Sequence, residues 1–179
     1  MRKRHLFACF MLVTFLVPSL ADAETLGLRS WGPRAGYRIG ENSFDQVVFG
    51  IHADLGDVVE DIRFAPNFEV GLGSNTTIFS IDPELHYVFR ENPLGENTFF
   101  YAGGGLGIHI IKFDVDDDVE DALDGFGVEV DDSETDLKIN LTAGVETQTS
   151  DSFGYFGEFR VSFMDGTWVE FIGGLNLLR

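Results

Sequence analysis

The sequence predicts an all-β protein whose strands close into an eight-stranded antiparallel up-and-down barrel. Beyond Ala23, no segment longer than about ten residues carries apolar residues at helical spacing. Polar and apolar residues instead alternate with a period of two, as they do on the two faces of a strand. Turn-forming residues (Gly, Asn, Asp, Ser or Pro) divide this alternation into eight runs.

The first 23 residues are predicted to be a signal peptide and not part of the barrel. Arg2, Lys3 and Arg4 precede an apolar run over 6–17, and the small-residue exit Ala21-Asp22-Ala23 follows. The run is shorter than the roughly 20 apolar residues that a membrane-spanning helix needs. We therefore expect export, cleavage after Ala23, and one barrel domain over residues 24–179.

Charge and cysteine content exclude several functional classes. Without residues 1–23 the chain keeps 9 of 12 basic and 29 of 30 acidic residues, a formal charge of −20. Such a chain is a poor partner for nucleic acid, because phosphate binding needs a concentrated basic surface. The only cysteine, Cys9, leaves with the signal peptide. Disulfides, thiol nucleophiles and cysteine-bound metals are therefore not expected in the mature chain.

The eight predicted strands follow one another with short turns, except for one long acidic segment before the sixth. They cover residues 25–39, 44–55, 59–73, 77–90, 98–113, 135–147, 152–164 and 167–178. In the first run the alternation slips near Gly32 and Pro33, which predicts a bulge. Pro66 and Pro83 interrupt the third and fourth runs, and we expect them to lie near each other across the hairpin with a local bulge.

The volume of the side chains indicates which face of the barrel points inward. An eight-stranded barrel has an interior only just wide enough for its side chains, so it cannot hold many aromatic rings. Ten phenylalanines lie on the apolar face: Phe49, Phe64, Phe68, Phe79, Phe89, Phe100, Phe153, Phe159, Phe163 and Phe171. The apolar face is therefore predicted to be the outside. Tyr37, Tyr87, Tyr155 and Trp168 lie toward run ends, where an aromatic girdle is expected.

The opposite face has the composition of a narrow polar lumen. It carries most of the strand glycines, among them Gly36, Gly50, Gly71, Gly103, Gly105, Gly107, Gly144, Gly154 and Gly174. Its seven cations are Arg29, Arg34, Arg38, Arg63, Arg90, Lys138 and Arg160, and its seven acids are Asp54, Glu69, Asp82, Glu84, Glu146, Glu158 and Glu170. Equal numbers predict a lumen closed by ion pairs, because an unpaired buried charge is costly.

These residues resemble a known family. The glycine-alternating stretch from Tyr101 to Gly107 and the opening from Arg34 to Tyr37 are similar to the small outer-membrane β-barrel proteins of the OmpA/OmpX type. The resemblance implies an eight-stranded transmembrane barrel in a Gram-negative outer membrane, with both termini periplasmic. It also implies outer-membrane lipids and lipopolysaccharide as partners.

The long acidic loop from Asp114 to Glu134 is a candidate for binding a divalent cation or an extracellular partner. Asp114, Asp116 and Asp118 begin like a calcium loop, but Val119 stands at the position of the sharp-turn glycine and Gly125 at that of the bidentate glutamate. The pattern therefore favours a solvated acidic loop over a specific calcium site.

No catalytic, cofactor-binding or metal-binding residue is assigned from the sequence. His52, His86 and His109 lie on the polar face of different strands, which favours pairing with carboxylates over a shared metal site. The chain has no G-x-S-x-G nucleophile motif, and Ser80 and Ser162 are interpreted as lumen hydroxyls. We expect a non-enzymatic membrane barrel with a structural or surface-interaction role, not a general porin. The alternatives are a secreted soluble barrel that binds an apolar ligand and a lipid-modifying outer-membrane enzyme.

Overall fold

A computed structural model describes residues 26–40, 45–74, 76–91, 94–113, 133–164 and 166–178. The predicted signal peptide and nearly all of the predicted acidic loop lie outside these residues. The strands are β1 (Ser30–Gly40), β2 (Gln46–Asp54), β3 (Asp57–Val59), β4 (Ile62–Phe64), β5 (Asn67–Leu72), β6 (Thr76–Asp82), β7 (Glu84–Val88), β8 (Thr98–Phe113), β9 (Ser133–Ser150), β10 (Phe153–Phe163) and β11 (Thr167–Leu178). Within the described ranges, no helix is long and apolar enough to span a membrane.

These strands form a closed ring of eight antiparallel barrel strands, as predicted. β4 and β5 are two parts of one barrel strand, and β6 and β7 are two parts of the next. Each barrel strand pairs with the one before and after it in the chain. The pairing of β1 with β11 closes the ring. The short β3 pairs with β4 alone and lies outside the ring.

The two interior prolines face each other where the ladder is interrupted. Asn67 pairs with Asp82 on one side of them, and Phe64 pairs with Leu85 on the other, in the same register. This register places Pro66 opposite Pro83, so the predicted proximity is confirmed. The predicted bulge is wrong, because no extra residue is inserted. A proline removes one ladder donor without shifting the residues that follow it.

The predicted bulge in the first strand is also wrong. β1 begins at Ser30 and keeps one register with β2 from Ser30 opposite Asp54 to Arg38 opposite Gln46. The alternation passes through Gly32 and Pro33 without a slip. The predicted slip lies between Arg29 and Arg34, and Arg29 precedes the strand.

The polar face is inside and the apolar face is outside. Arg38, Arg160 and Glu170 are 0% exposed, whereas Phe49 is 52% and Phe171 55% exposed. All ten phenylalanines predicted to lie outside are exposed or half-buried. This arrangement contradicts the alternative of a soluble barrel with an apolar interior. It is the arrangement of transmembrane β-barrels, which present apolar residues to lipid.

One member of the predicted aromatic girdle is inside the barrel. Tyr37, Tyr87 and Tyr155 are exposed on the outer surface, as predicted. Trp168 instead is 6% exposed and packs with Ile78 and Ile111 in an apolar plug inside the barrel. It lies two residues before Glu170, and residues two apart in a strand share a face.

Glycines on the lumen face make room for interior side chains, as predicted. A Cβ atom at Gly107 would collide with the Asp82 carboxylate, and one at Gly144 would collide with the Tyr101 ring. At Gly103 it would collide with the backbone carbonyl oxygen of Leu85.

Gly103→Ala is therefore expected to destabilise the barrel by about 1–3 kcal/mol, because backbone cannot move aside as a flexible side chain can. Gly157→Ala is the matched control, since a Cβ there meets no atom within 4 Å. Urea unfolding in detergent, followed by tryptophan fluorescence, gives both values. Equal losses from the two variants would contradict this explanation of the lumen glycines.

Candidate functional site

The barrel interior holds the largest set of interacting polar groups in the described residues, and its cations are fewer than predicted. Arg34, Arg38, Arg63, Lys138 and Arg160 are buried there. The seven predicted acids all take part in interior contacts: Asp54, Glu69, Asp82, Glu84, Glu146, Glu158 and Glu170. The predicted equality of seven and seven is therefore wrong: among the described residues, these seven acids contact five buried cations.

The two remaining cations, Arg29 and Arg90, lie at the rim where β1 begins. Both contact Asp57 of β3, at 2.9 and 3.0 Å, and Arg90 also contacts Asp61 at 2.8 Å. Their side chains are 37% and 38% exposed. Burial alone would raise the pKa of the Asp57 carboxyl, but hydrogen bonds from Arg90 and Arg29 hold that pKa below its ordinary value. The rim pairs therefore join β3 to neighbouring segments and lie apart from the lumen network.

Arg160 of β10 is the centre of the interior network. Its Nη1 lies 3.1 Å from both carboxylate oxygens of Glu69 and 3.3 Å from Glu170. Its Nε lies 3.1 Å from Glu84, and its Nη2 lies 3.0 Å from Glu158. β10 is opposite β5 in the ring, so the contact with Glu69 crosses the lumen. One guanidinium therefore joins opposite walls of the barrel and obstructs its axis.

Two arginines of β1 extend the network from a third side. Arg34 bridges Glu158 at 2.6 Å and Glu69 at 3.0 Å. Arg38 lies 2.7 Å from Glu170 and donates a hydrogen bond to Gln46. Each of these carboxylates is thus shared between at least two cations, and such shared pairing offsets the cost of removing the charges from water.

Lys138 and two neutral side chains of β9 satisfy the acids Asp82 and Glu84, which face this strand. Lys138 lies 3.1 Å from Asp82. Asn140 donates hydrogen bonds to both Asp82 and Glu84, and Thr142 donates to Glu84. These groups use the regular spacing of every second residue along β9, which places Lys138, Asn140 and Thr142 on one face.

The three histidines lie in the interior, as predicted, but only one pairs with a carboxylate. His86 Nε2 is 2.8 Å from Glu84. His52 Nε2 is instead 2.8 Å from the side-chain oxygen of Asn176, and His109 packs against Trp168 with ring centroids 5.2 Å apart. No group of three or more His, Cys, Asp or Glu among the described residues is arranged to hold a metal ion.

Tyr101 joins several of these groups, although no sequence motif predicts a role for it. Its hydroxyl donates a hydrogen bond to Glu158 at 2.9 Å. Its ring stacks on His86, with centroids 4.9 Å apart, and the Arg63 guanidinium lies 4.8 Å from its centroid. Tyr101 is an even number of residues from Gly103 and His109 in the same strand, so the alternation places it on the lumen face.

Solved structures of other proteins have a similar fold, but no relative was found by sequence. No protein-family profile matches the chain, and no curated protein matches it significantly. Among solved structures, Neisserial surface protein A superimposes with a TM-score of 0.65 at 15% identity, over 84% of this chain and 96% of that one. The attachment invasion locus protein Ail of Yersinia pestis has a TM-score of 0.55 at 14% identity, over 84% and 95%. The N-terminal β-barrel domain of Pseudomonas aeruginosa OprF also has a TM-score of 0.55 at 14% identity, over 84% and 98%.

This chain has the fold of the small outer-membrane β-barrels. The fold agrees with the ring of eight strands, the lipid-facing apolar surface and the filled polar interior described above.

Within this outer-membrane barrel fold, the strand register places a serine opposite a histidine. This pair is relevant to the alternative of a lipid-modifying enzyme. Ser80 and His109 are direct cross-strand partners on the lumen face of β6 and β8. The two side chains are 0% exposed, and they make no hydrogen bond to each other. A serine nucleophile needs a base within hydrogen-bond reach and a path for the substrate. The apolar plug of Ile78, Ile111 and Trp168, with His109 packed on Trp168, covers this pair from the end opposite the termini.

Proposed function

We propose that this protein is a non-enzymatic integral protein of a Gram-negative outer membrane, with a structural or surface-interaction role. Its signal peptide is removed after Ala23, and its acidic loop faces outward. The observation that carries the proposal is the interior network around Arg160, which joins opposite walls of a barrel whose outer face is apolar. Such a barrel holds itself closed inside and presents a lipid-compatible surface outside, so it is not a general porin.

The charge of the chain indicates the chemistry of a surface partner. Ten of the residues at 114–132 are acidic, and the whole chain has a formal charge of −18. One structure of Ail contains the heparin analogue sucrose octasulfate, a polyanion. A polyanion would be repelled by the acidic segment of the present chain. A cationic partner, or lipopolysaccharide bridged by divalent cations, therefore fits this chain better.

The membrane assignment predicts a heat-dependent gel shift. A closed lipid-facing barrel resists dodecyl sulfate until it is boiled, so unheated and boiled samples from the outer-membrane fraction are expected to migrate differently. N-terminal sequencing of the same band is expected to begin at Glu24. A soluble periplasmic protein without a shift would contradict the membrane assignment.

The closed lumen predicts negligible conductance. We expect purified protein in planar lipid bilayers to give no stable ohmic steps, because the Arg160 network fills the barrel axis. A general porin reconstituted in the same way is the positive control. Stable, voltage-independent steps from this protein would show that the network leaves an open path.

A further inference from the structure

A small cavity lies in the lumen at the end of the barrel where β1 begins and β11 ends. Its volume is about 20 Å³, and His52 of β2, Arg63 of β4 and His86 of β7 are among its lining residues. Ala65, which follows β4, also lines it. A polar cavity holds a water molecule when it offers at least about 10–15 Å³ and two to four polar partners.

Each of the three polar side chains brings one buried atom that has no hydrogen-bond partner in the protein. These atoms are His52 Nδ1, His86 Nδ1 and Arg63 Nε. Other atoms of the same side chains have partners: Arg63 Nη1 donates to Glu146 at 2.6 Å, and both histidines use Nε2. Leaving buried polar atoms unpaired is costly, so three such atoms around one cavity indicate a shared ligand.

The partners of the two histidines determine what kind of hydrogen bond each open atom can make. Carboxylate and amide oxygens accept hydrogen bonds, so Nε2 of His86 donates to Glu84 and Nε2 of His52 donates to Asn176 Oδ1. In neutral imidazole the other nitrogen then carries a lone pair and accepts. The Nε of Arg63 always donates. These three open atoms therefore offer two acceptors and one donor.

We infer that this cavity binds a single water molecule, which donates to His52 Nδ1 and His86 Nδ1 and accepts from Arg63 Nε–H. Water has two donors and can accept, so it satisfies all three atoms at once. A halide cannot donate to the imidazoles, and an ammonium ion cannot accept from the arginine. Water is therefore the ligand of this size whose hydrogen bonding matches the site.

The site has a structural role that follows from its position. It connects β2, β4 and β7, which belong to three successive barrel strands. Two of these barrel strands are interrupted nearby, at Pro66 and Pro83, where the ladder lacks proline donors. The water supplies side-chain bridges between walls that have fewer backbone hydrogen bonds there.

The first test uses the unmodified barrel. A crystal structure at a resolution that shows ordered water is expected to have a density peak within hydrogen-bond distance of all three nitrogens, with no anomalous signal at the site after a bromide soak. With ¹⁵N-histidine labelling in nanodiscs, both rings are expected in the Nε2–H form with magnetisation transfer to water. A site without a peak, a bromide ion there, or both rings in the Nδ1–H form would overturn the inference.

The second test fills the cavity. Ala65→Val places methyl groups in it, and we expect the urea midpoint to fall and the histidine–water transfer to disappear. Ala35→Val adds the same atoms to the lipid-facing surface of β1 and is expected to change neither. If the cavity were merely a dry packing defect, filling it would leave the midpoint unchanged or raise it. Because the first test needs no substitution, the inference stays testable if Ala65→Val fails to fold.

Discussion

Arg160→Ala is expected to destabilise the barrel by about 3–5 kcal/mol, the loss typical of removing one partner from a buried ion pair. Arg160 is fully buried and contacts four glutamates. Two of them, Glu69 and Glu84, belong to barrel strands that are not paired with β10. Alanine would leave these carboxylates close together without their shared cation. The loss therefore includes repulsion among the acids as well as the missing contacts.

The measurement is the free energy of unfolding in urea, with the protein in detergent micelles or lipid vesicles. Lys112→Ala is the control, because Lys112 is exposed and its Nζ lies 5.9 Å from the Phe79 ring centroid. Its removal should cost at most about 1 kcal/mol. Arg160→Lys should fall between the two, since lysine keeps the charge but not the planar fork that reaches several carboxylates. Equal midpoints for Arg160→Ala and Lys112→Ala would refute the central role of this residue.

Leu141→Arg is expected to destabilise the barrel, and the reason is that Leu141 faces lipid and not water. Leu141 is 56% exposed near the middle of β9, between Gly104 of β8 and Val161 of β10. An arginine at the midplane of a bilayer costs a transmembrane barrel about 2–4 kcal/mol. On a soluble protein the same exposed position would tolerate arginine within about 0.5 kcal/mol.

Leu94→Arg is the matched control for this prediction. Leu94 is 59% exposed in the turn between β7 and β8, beyond the apolar outer face of the strands. Both variants are folded into lipid vesicles, and their free energies of unfolding are compared with that of the parent chain. A small loss at Leu94 with a large one at Leu141 is expected. Similar small losses at both positions would mean that the middle of β9 does not face lipid.

The strands and their faces were largely predictable because a strand repeats every two residues. Phe153, Phe159 and Phe163 were assigned outside, and Glu158 and Arg160 inside, from the alternation alone, and the structure agrees. Position near a strand end is a weaker guide to the face of a residue than the alternation is. The position of Trp168 near a strand end predicts a place in the girdle, whereas its spacing of two residues from Glu170 predicts the inside, where the structure has it.

The error for Arg29 and Arg90 has a different cause. Arg90 lies at the alternation of the lumen face but follows β7, whereas Arg29 lies at the opposite alternation and precedes β1. The alternation along a strand predicts burial only where the strand is paired within the barrel. Where that pairing stops cannot be read from the alternation. The composition of the polar face therefore overestimated the number of cations in the lumen.

The sequence by itself determined the eight strands, their lipid-facing and lumen-facing sides and the small residues that make an eight-stranded barrel possible, because all of these depend on spacing along one strand. Only the tertiary structure decided which charges meet. Arg160 and Glu69 are 91 residues apart, and Arg38 and Glu170 are 132 apart. Their contact depends on the closure of the ring and on the register of each pair of strands. The same dependence on register joins Ser80 to His109, and it brings His52, Arg63 and His86 around one cavity. Alternation within a strand contains no information about the residue that faces it from another wall.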